Sequence, residues 1–230
     1  MEIAISPQKV SRFLLITVSL LVLAHIIQIS FYLFGDFDYI RYLDLDIEAN
    51  LPTFYSSIAI ELCALLLFGV FLCEQQRKSK DRWRWLGLSL VFVFLGLDEG
   101  TKVHEEIGDL MENIVNATGL LHFPWVIPYG VALLLLVAFY SPWLFRLPKK
   151  TRIEFITAGI VFVIGAIGFE VLSARENELY GANSISYTLY YTIEELCEML
   201  GIVLFVEAIL NHMGRAFGEI TLKFNPKRIA

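Results

Sequence analysis

The sequence predicts an all-α polytopic membrane bundle of six transmembrane helices, with both termini cytoplasmic. Three observations predict it. First, 57% of the 230 residues are hydrophobic and only 18% are charged, at a mean hydropathy of +0.62. A soluble domain is nearer half apolar and a quarter charged. Second, six apolar stretches reach or approach the about 20 helical residues needed to cross a hydrocarbon core about 30 Å thick. Third, the basic residues gather on alternate connections. This composition excludes a disulfide scaffold, a disordered chain and a typical cytosolic enzyme, and the net charge of -6 gives no support for nucleic-acid binding.

The predicted spans are Phe13–Phe34, Pro52–Cys73, Trp85–Glu105, Pro124–Phe145, Ile153–Ala174 and Tyr187–Leu210, forming one membrane domain over 1–230. The first is too long, and lacks the small-residue cleavage site, for a removable signal. Lys9 and Arg12 precede it. Arg77, Lys78, Lys80, Arg82 and Arg84 fill the second connection, and Arg146, Lys149, Lys150 and Arg152 the fourth. Arg215, Lys223, Lys227 and Arg228 follow the last span. These fifteen bases define the cytoplasmic side, against Arg41, Lys102 and Arg175 on the other. Trp83, Trp85 and Trp143 are expected at the inner boundary and Trp125 at the outer one, as an aromatic belt. The stretch Glu106–Phe123 is expected either to continue the third span outside the membrane or to form an interfacial helix. Pro124 is expected to start the fourth span and Pro128 to kink it. Gly159, Gly165 and Gly168 would let the fifth pack closely. Cys63, Cys73 and Cys197 lie inside spans and read as reduced packing residues.

The 24 acids are the second signal. Asp36, Asp38, Asp44, Asp46 and Glu48 crowd the first outer loop, where they read as a solvated acidic segment. A more informative set lies within helices: Glu61, Asp98, Glu99, Glu105, Glu106, Glu170, Glu194, Glu195 and Glu198. At about 1.5 Å per residue, four helices bring acids to overlapping depths in the outer half of the bilayer. A charge at the centre of a spanning helix costs about 2.5–3.5 kcal/mol and needs an interior partner or water. Asp98, Thr101 and Glu105 share a stripe, as do Glu194 and Glu198. Glu99 is turned about 100° from Asp98 and is expected to pair with Lys102. His25 reads as a hydrogen-bonded interior histidine, His122 and His212 as interfacial residues, and His104 as a ligand candidate.

Cations are too few to neutralise these acids pairwise. Protonation, which burial favours, a bound metal and a wet vestibule all remain open, beside a purely structural polar network. The candidate metal ligands are Glu61, Asp98, His104, Glu105, Glu170, Glu194 and Glu198, for a divalent metal ion as cofactor. That set fits an enzyme acting on a lipid-like or small-molecule substrate near the outer leaflet. The Glu-x-x-His pair of ferritin-like bundles is missing, since Thr101 stands three before His104. The alternatives are proton or cation translocation through the same acids and an accessory membrane subunit.

Several motifs carry a resemblance. They are Glu48-x-Asn50-Leu51-Pro52-Thr53-Phe54-Tyr55-Ser56-Ser57, Leu97-Asp98-Glu99 with His104-Glu105, Trp125-x-x-Pro128, and Glu194-Glu195-x-x-Glu198-Met199-Leu200-Gly201. Together they resemble a widespread group of uncharacterised prokaryotic integral membrane proteins. The resemblance implies a six-helix fold and a prokaryotic cytoplasmic membrane, and it brings no activity.

Overall fold

The computed structural model describes residues 2–35, 38–218 and 221–223. Asp36, Lys227 and Arg228 lie outside the described residues. The chain begins with β1 (Glu2–Ala4) and α1 (Pro7–Phe34), followed by a 3-10 turn at Arg41–Leu43. Next come α2 (Leu51–Gln76), α3 (Arg82–Thr101), α4 (Val103–Glu112) and a second 3-10 turn at Gly119–Leu121. Then follow α5 (Val126–Leu144), α6 (Lys149–Val163), a π-helical segment at Ile164–Phe169, α7 (Glu170–Tyr180), α8 (Ile185–Phe217) and β2 (Thr221–Lys223).

Among the described residues, four helical units are long and apolar enough to cross a membrane: α1, α2, α5 and the continuous 149–180 unit from α6 to α7. α3 and α8 have 20 and 33 residues but carry the interior acids. The local signals explain the starts. Pro7 opens α1 where no N–H partner is needed. Asn50 caps α2 by accepting from the Thr53 N–H, and Ser184 caps α8 by accepting from that of Tyr187.

α8 is the central helix, packed against α1, α2, α6, α7 and the π segment. Leu67, Val70, Val203, Val206, Ile209 and Leu210 are almost wholly buried around it. Gly201 permits the α6 contact, since a Cβ there would lie 2.7 Å from the Phe162 backbone nitrogen. Gly165 permits the second close approach, its Cβ position lying 2.7 Å from the Glu194 carbonyl oxygen. Gly159 has no neighbour within 4 Å and Gly168 meets only Ile164 on its own helix, so neither of these two expected packing glycines serves α8.

α5 stands further out and is tied to α3 by long aromatic side chains. The Tyr140 hydroxyl donates to the Arg84 carbonyl at 3.1 Å, and Trp143 meets Trp85 edge-to-face at 4.7 Å. Trp85 and Trp143 are therefore core residues, 2% and 1% exposed, and only Trp83 on that side has the exposure of a belt residue. His212 is likewise buried, stacked on Trp85 at 4.8 Å, and is not interfacial. The three cysteines are free.

Two helix boundaries differ from expectation. α3 stops at Thr101 because Lys102 adopts a left-handed conformation (φ 62°), and α4 leaves as a separate helix. α5 starts at Val126, so Pro128 falls in its first turn, where its missing N–H breaks no bond, and introduces no kink. The proline inside the helix is Pro142.

β1 and β2 pair antiparallel, Ile3 opposite Leu222, which brings both ends of the chain together. The basic connections meet at one end of the bundle. Arg77 donates to the Ala216 carbonyl, Arg146 pairs with Asp81 at 2.7 Å and Arg215 with Glu154.

Candidate functional site: a carboxylate-rich cluster

The first outer loop is solvated at Asp38 and Asp46 but not throughout. Asp44 and Leu45 are only 2% and 3% exposed, tucked into the end of the bundle. The reason is a set of anchors on four elements. The Leu45 N–H donates to His25 Nδ1 at 3.3 Å, and the Ile40 N–H donates to Gln28 Oε1 at 3.2 Å, both on α1. Asp44 lies 3.5 Å from His25 and accepts from Tyr191. The Tyr187 hydroxyl donates to Asp46 Oδ1 at 2.7 Å. Asn50, besides capping α2, donates through Nδ2 to the carbonyls of Arg41 and Asp44. His25 is thus an interior hydrogen-bonded residue, its Nε2 3.2 Å from Thr192 Oγ1.

At the α3–α4 corner, the His104 ring lies between two carboxylates. Nδ1 is 3.3 Å from Asp98 Oδ1, and Nε2 is 3.2 Å from Glu48 Oε1. Asp98 Oδ1 also accepts the His104 backbone N–H at 2.8 Å, and Asp98 Oδ2 accepts the Tyr129 hydroxyl at 2.9 Å. Burial alone would favour a neutral ring, but the hydrogen bonds to Asp98 and Glu48 outweigh it and push His104 up to about 10. The ring is therefore an imidazolium with both N–H groups engaged. Lys102 sits 3.2 Å from Glu48 and 3.4 Å from Glu105, so it serves those two acids instead of Glu99.

Glu170 and Glu194, 8% and 7% exposed, form the second group. Trp125 Nε1 donates to Glu170 Oε1 at 2.8 Å, and Ser173 Oγ donates to Glu194 Oε2 at 3.0 Å. The two carboxyls also lie within hydrogen-bonding reach of each other. The π segment immediately before Glu170 sets this register, and Gly165 lets the helix close on α8. Such π segments recur at functional sites.

Glu99, Glu195 and Glu198 form the third group, each half-buried with part of its surface accessible. Glu195 interacts electrostatically with Glu198, Glu99, Asp46 and Glu170. Glu198 does so with Glu99, Glu170, His104 and Glu48. Among the described residues, no hydrogen-bond donor and no salt-bridge partner engages these three side chains. About two turns further along α8 the lining becomes apolar. Phe205 stacks on Phe92 at 4.8 Å and meets Phe155 at 4.9 Å, beside buried Met199, Val203 and Leu67. The acids thus cluster in one half of the bundle, above an aromatic layer.

Of the seven candidate ligands, Asp98 and His104 meet at the corner, and Glu170, Glu194 and Glu198 share the α7–α8 side. Glu61 instead lies along the α2–α3 seam against Gly96, and Glu105 is exposed beside Lys102. Among the described residues, no group of three or more His, Cys, Asp or Glu side chains is arranged to hold a metal ion. Glu48, Asp44, Asp46, Trp125, Tyr129 and Ser173 were not among the candidates. Glu48 alone carried a signal, two residues before the helix-capping Asn50. The others depend on contacts between distant segments.

The fold and site define a predominantly helical protein with helices of membrane-crossing length and a carboxylate-rich interior. The chain belongs to the family described as a domain of unknown function, DUF8692, whose model matches residues 13–212. No curated protein and no solved structure matches it.

Proposed function

We propose that this chain is a six-span protein of a prokaryotic cytoplasmic membrane, with both termini inside, whose acidic cluster takes up a cation from the outer side. α3 and α8 complete the six spans. Their 20 and 33 residues suffice to cross, and the helices they pack against shield their acids from lipid. The clustered basic connections support the orientation, with the acidic cluster at the opposite end.

One observation carries the reading. Among the described residues, Glu99, Glu195 and Glu198 are clustered from two helices without a hydrogen-bond donor or a salt bridge, and only the His104 ring offers Glu99 and Glu198 a positive charge at a distance. Such a group is stable only when protons or another cation offset its repulsion. The aromatic layer favours uptake from one side over an open path. Proton exchange fits best, because Glu170 and Glu194 bring two further carboxyls next to this group. A divalent ion is the second reading, favoured by the all-oxygen character of the unpartnered acids. It would be an oxygen-seeking ion such as magnesium, calcium or manganese, since both His104 nitrogens already serve carboxylates. That ion is the cofactor an enzyme acting near the outer leaflet would need.

The test is a count of bound cations. Protein purified without chelators is compared with the Glu195→Gln/Glu198→Gln double variant for metal content and for protons taken up between pH 8 and pH 5. Wild type should take up more protons than the variant. Stoichiometric metal without excess proton uptake would favour the divalent ion. Equal values for both quantities would reject cation uptake.

A further inference from the structure

Two features beside α1 take no part in the acidic cluster: an unpartnered amide and a cleft. Gln28 is only 5% exposed. Its Oε1 accepts the Ile40 N–H at 3.2 Å, and this bond assigns the two ends of the amide. Its Nε2 is buried and has no acceptor among the described residues. A donor left unpaired in apolar surroundings is costly, which calls for an acceptor from outside the chain.

The cleft supplies the place for one. A space of about 340 Å³ lies between the outer turns of α1 and the start of the outer loop. Its size falls in the range of small-molecule sites, about 300–1,000 Å³. Gln28 lines it. Ala24, Ile27 and Phe31 from α1, with Ile40 and Leu43 from the loop, make its other walls apolar. Asp38 completes the described lining as its one charged residue, exposed and without a salt-bridge partner among the described residues. Gln28 stands six residues before the end of α1 at Phe34, about 9 Å at 1.5 Å per residue. Ile27, Phe31 and Ile40 are each about half exposed, so the cleft opens sideways. In the topology proposed above, it opens to the outer leaflet just below the headgroups.

These walls set three requirements for an occupant: an apolar body, an acceptor oxygen for Gln28 Nε2 and a positive group for Asp38. A diacylglycerol lacks the positive group. An anionic lipid meets Asp38 with the wrong sign. A glycerophospholipid with an amine headgroup has all three, as acyl chain, ester carbonyl and ammonium.

We propose that the α1 cleft binds an aminophospholipid of the outer leaflet, whose ester carbonyl accepts from Gln28 Nε2 and whose ammonium pairs with Asp38. Its acyl chain lies along Ala24, Ile27 and Phe31. Ile40 and Leu43 form the opposite wall, so the lipid braces the segment that leads on to Asp44, Asp46 and Glu48. Only the choice of leaflet rests on the proposed topology, and the cation reading plays no part.

The experiment is native mass spectrometry of the full chain in a neutral detergent, titrated with phosphatidylethanolamine, phosphatidylglycerol and diacylglycerol of one chain composition. Wild type should hold phosphatidylethanolamine most tightly. Asp38→Asn should weaken that binding up to about fivefold, the range of an exposed ion pair, and leave diacylglycerol unchanged. Gln28→Leu should weaken both about two- to tenfold, as the loss of one hydrogen bond predicts. Because Gln28→Leu also frees the Ile40 N–H, Ala24→Phe is the second variant. It fills the cleft, keeps Gln28 and should abolish the bound lipid. Circular dichroism and an unchanged elution volume verify the fold of each variant. Equal affinity for the three lipids in wild type, binding unchanged in Ala24→Phe, or a headgroup preference retained in Asp38→Asn overturns the site. The cation counts of the Glu195/Glu198 comparison are separate measurements, so either reading can fail alone.

Discussion

Asp98 holds His104 twice, by its backbone N–H at 2.8 Å and by its ring Nδ1 at 3.3 Å, and so joins the end of α3 to the start of α4. The left-handed Lys102 between them turns the chain. The carboxylate then meets the N-terminal turn of α4, where a negative charge is favoured. One side chain thereby caps a helix, fixes a corner and holds an imidazolium in place.

This contact makes stability depend on pH in a predictable direction. His104 rises from 6.5 to about 10 in the folded chain. Its contribution is complete below pH 6.5 and is lost as pH rises through about 10. The thermal midpoint of wild type should therefore fall between pH 7 and pH 10.5. His104→Ala should show a much smaller fall. Removing one member of a buried ion pair costs about 3–5 kcal/mol, so the variant should also unfold at lower temperature at pH 7. Midpoints that fall in parallel would reject the protonated ring.

Asn50 predicts a separation of two roles. Asn50→Asp keeps an oxygen for the Thr53 N–H but loses the donor to Arg41 and Asp44. Asn50→Ala loses both. The cap is worth about 1 kcal/mol, and each hydrogen bond lost adds about 1 kcal/mol. The order of thermal stability should be wild type, Asp, Ala. An alanine variant as stable as wild type would show that the clamp contributes nothing.

The glycines of the 149–180 unit and of α8 differ sharply. Gly201→Ala would place a methyl 2.7 Å from the Phe162 backbone, which must move away. Overpacking of this kind costs about 1–3 kcal/mol. Gly159→Ala meets nothing within 4 Å and should gain up to about 1 kcal/mol from helix propensity. Denaturation of the two variants in one detergent gives the comparison, and a stable Gly201→Ala would contradict the close α6–α8 contact.

Orientation is open to a labelling test. On a background with Cys63, Cys73 and Cys197 replaced, single cysteines at Gln76 and Asn183 should be exposed at opposite ends of the bundle. An impermeant maleimide added to whole cells should label Asn183→Cys and spare Gln76→Cys until the cells are opened. The reverse pattern would invert the proposed topology.

The helical stretches were legible because long apolar runs need no partner to be recognised. The interior acids were legible because an acid in such a run is conspicuous. The corner at Lys102 was not. Thr101-Lys102-Val103 is compatible with a continuing helix, and the break depends on an Asp98 side chain bonding across it. The burial of Asp44 and the anchoring of Asp46 were hidden by composition, since Asp-x-Asp in a connection reads as solvated. Their partners, His25 and Tyr187, lie about 20 and 140 residues away. His104 was recognised as special but given the wrong neighbours, because Glu48 comes from another segment.

The π segment has a consequence for how sequences in this family align. A π turn places one residue more in its helix than an α-helical path requires. One residue is about 100° of rotation. Deleting a single residue from 164–169 would restore a regular helix and swing everything after it around the axis. Trp125 would then miss Glu170, and Ser173 would miss Glu194. A relative one residue shorter at this point would need a different arrangement of acids, so a one-position gap there separates two chemistries that identity scores would treat as the same.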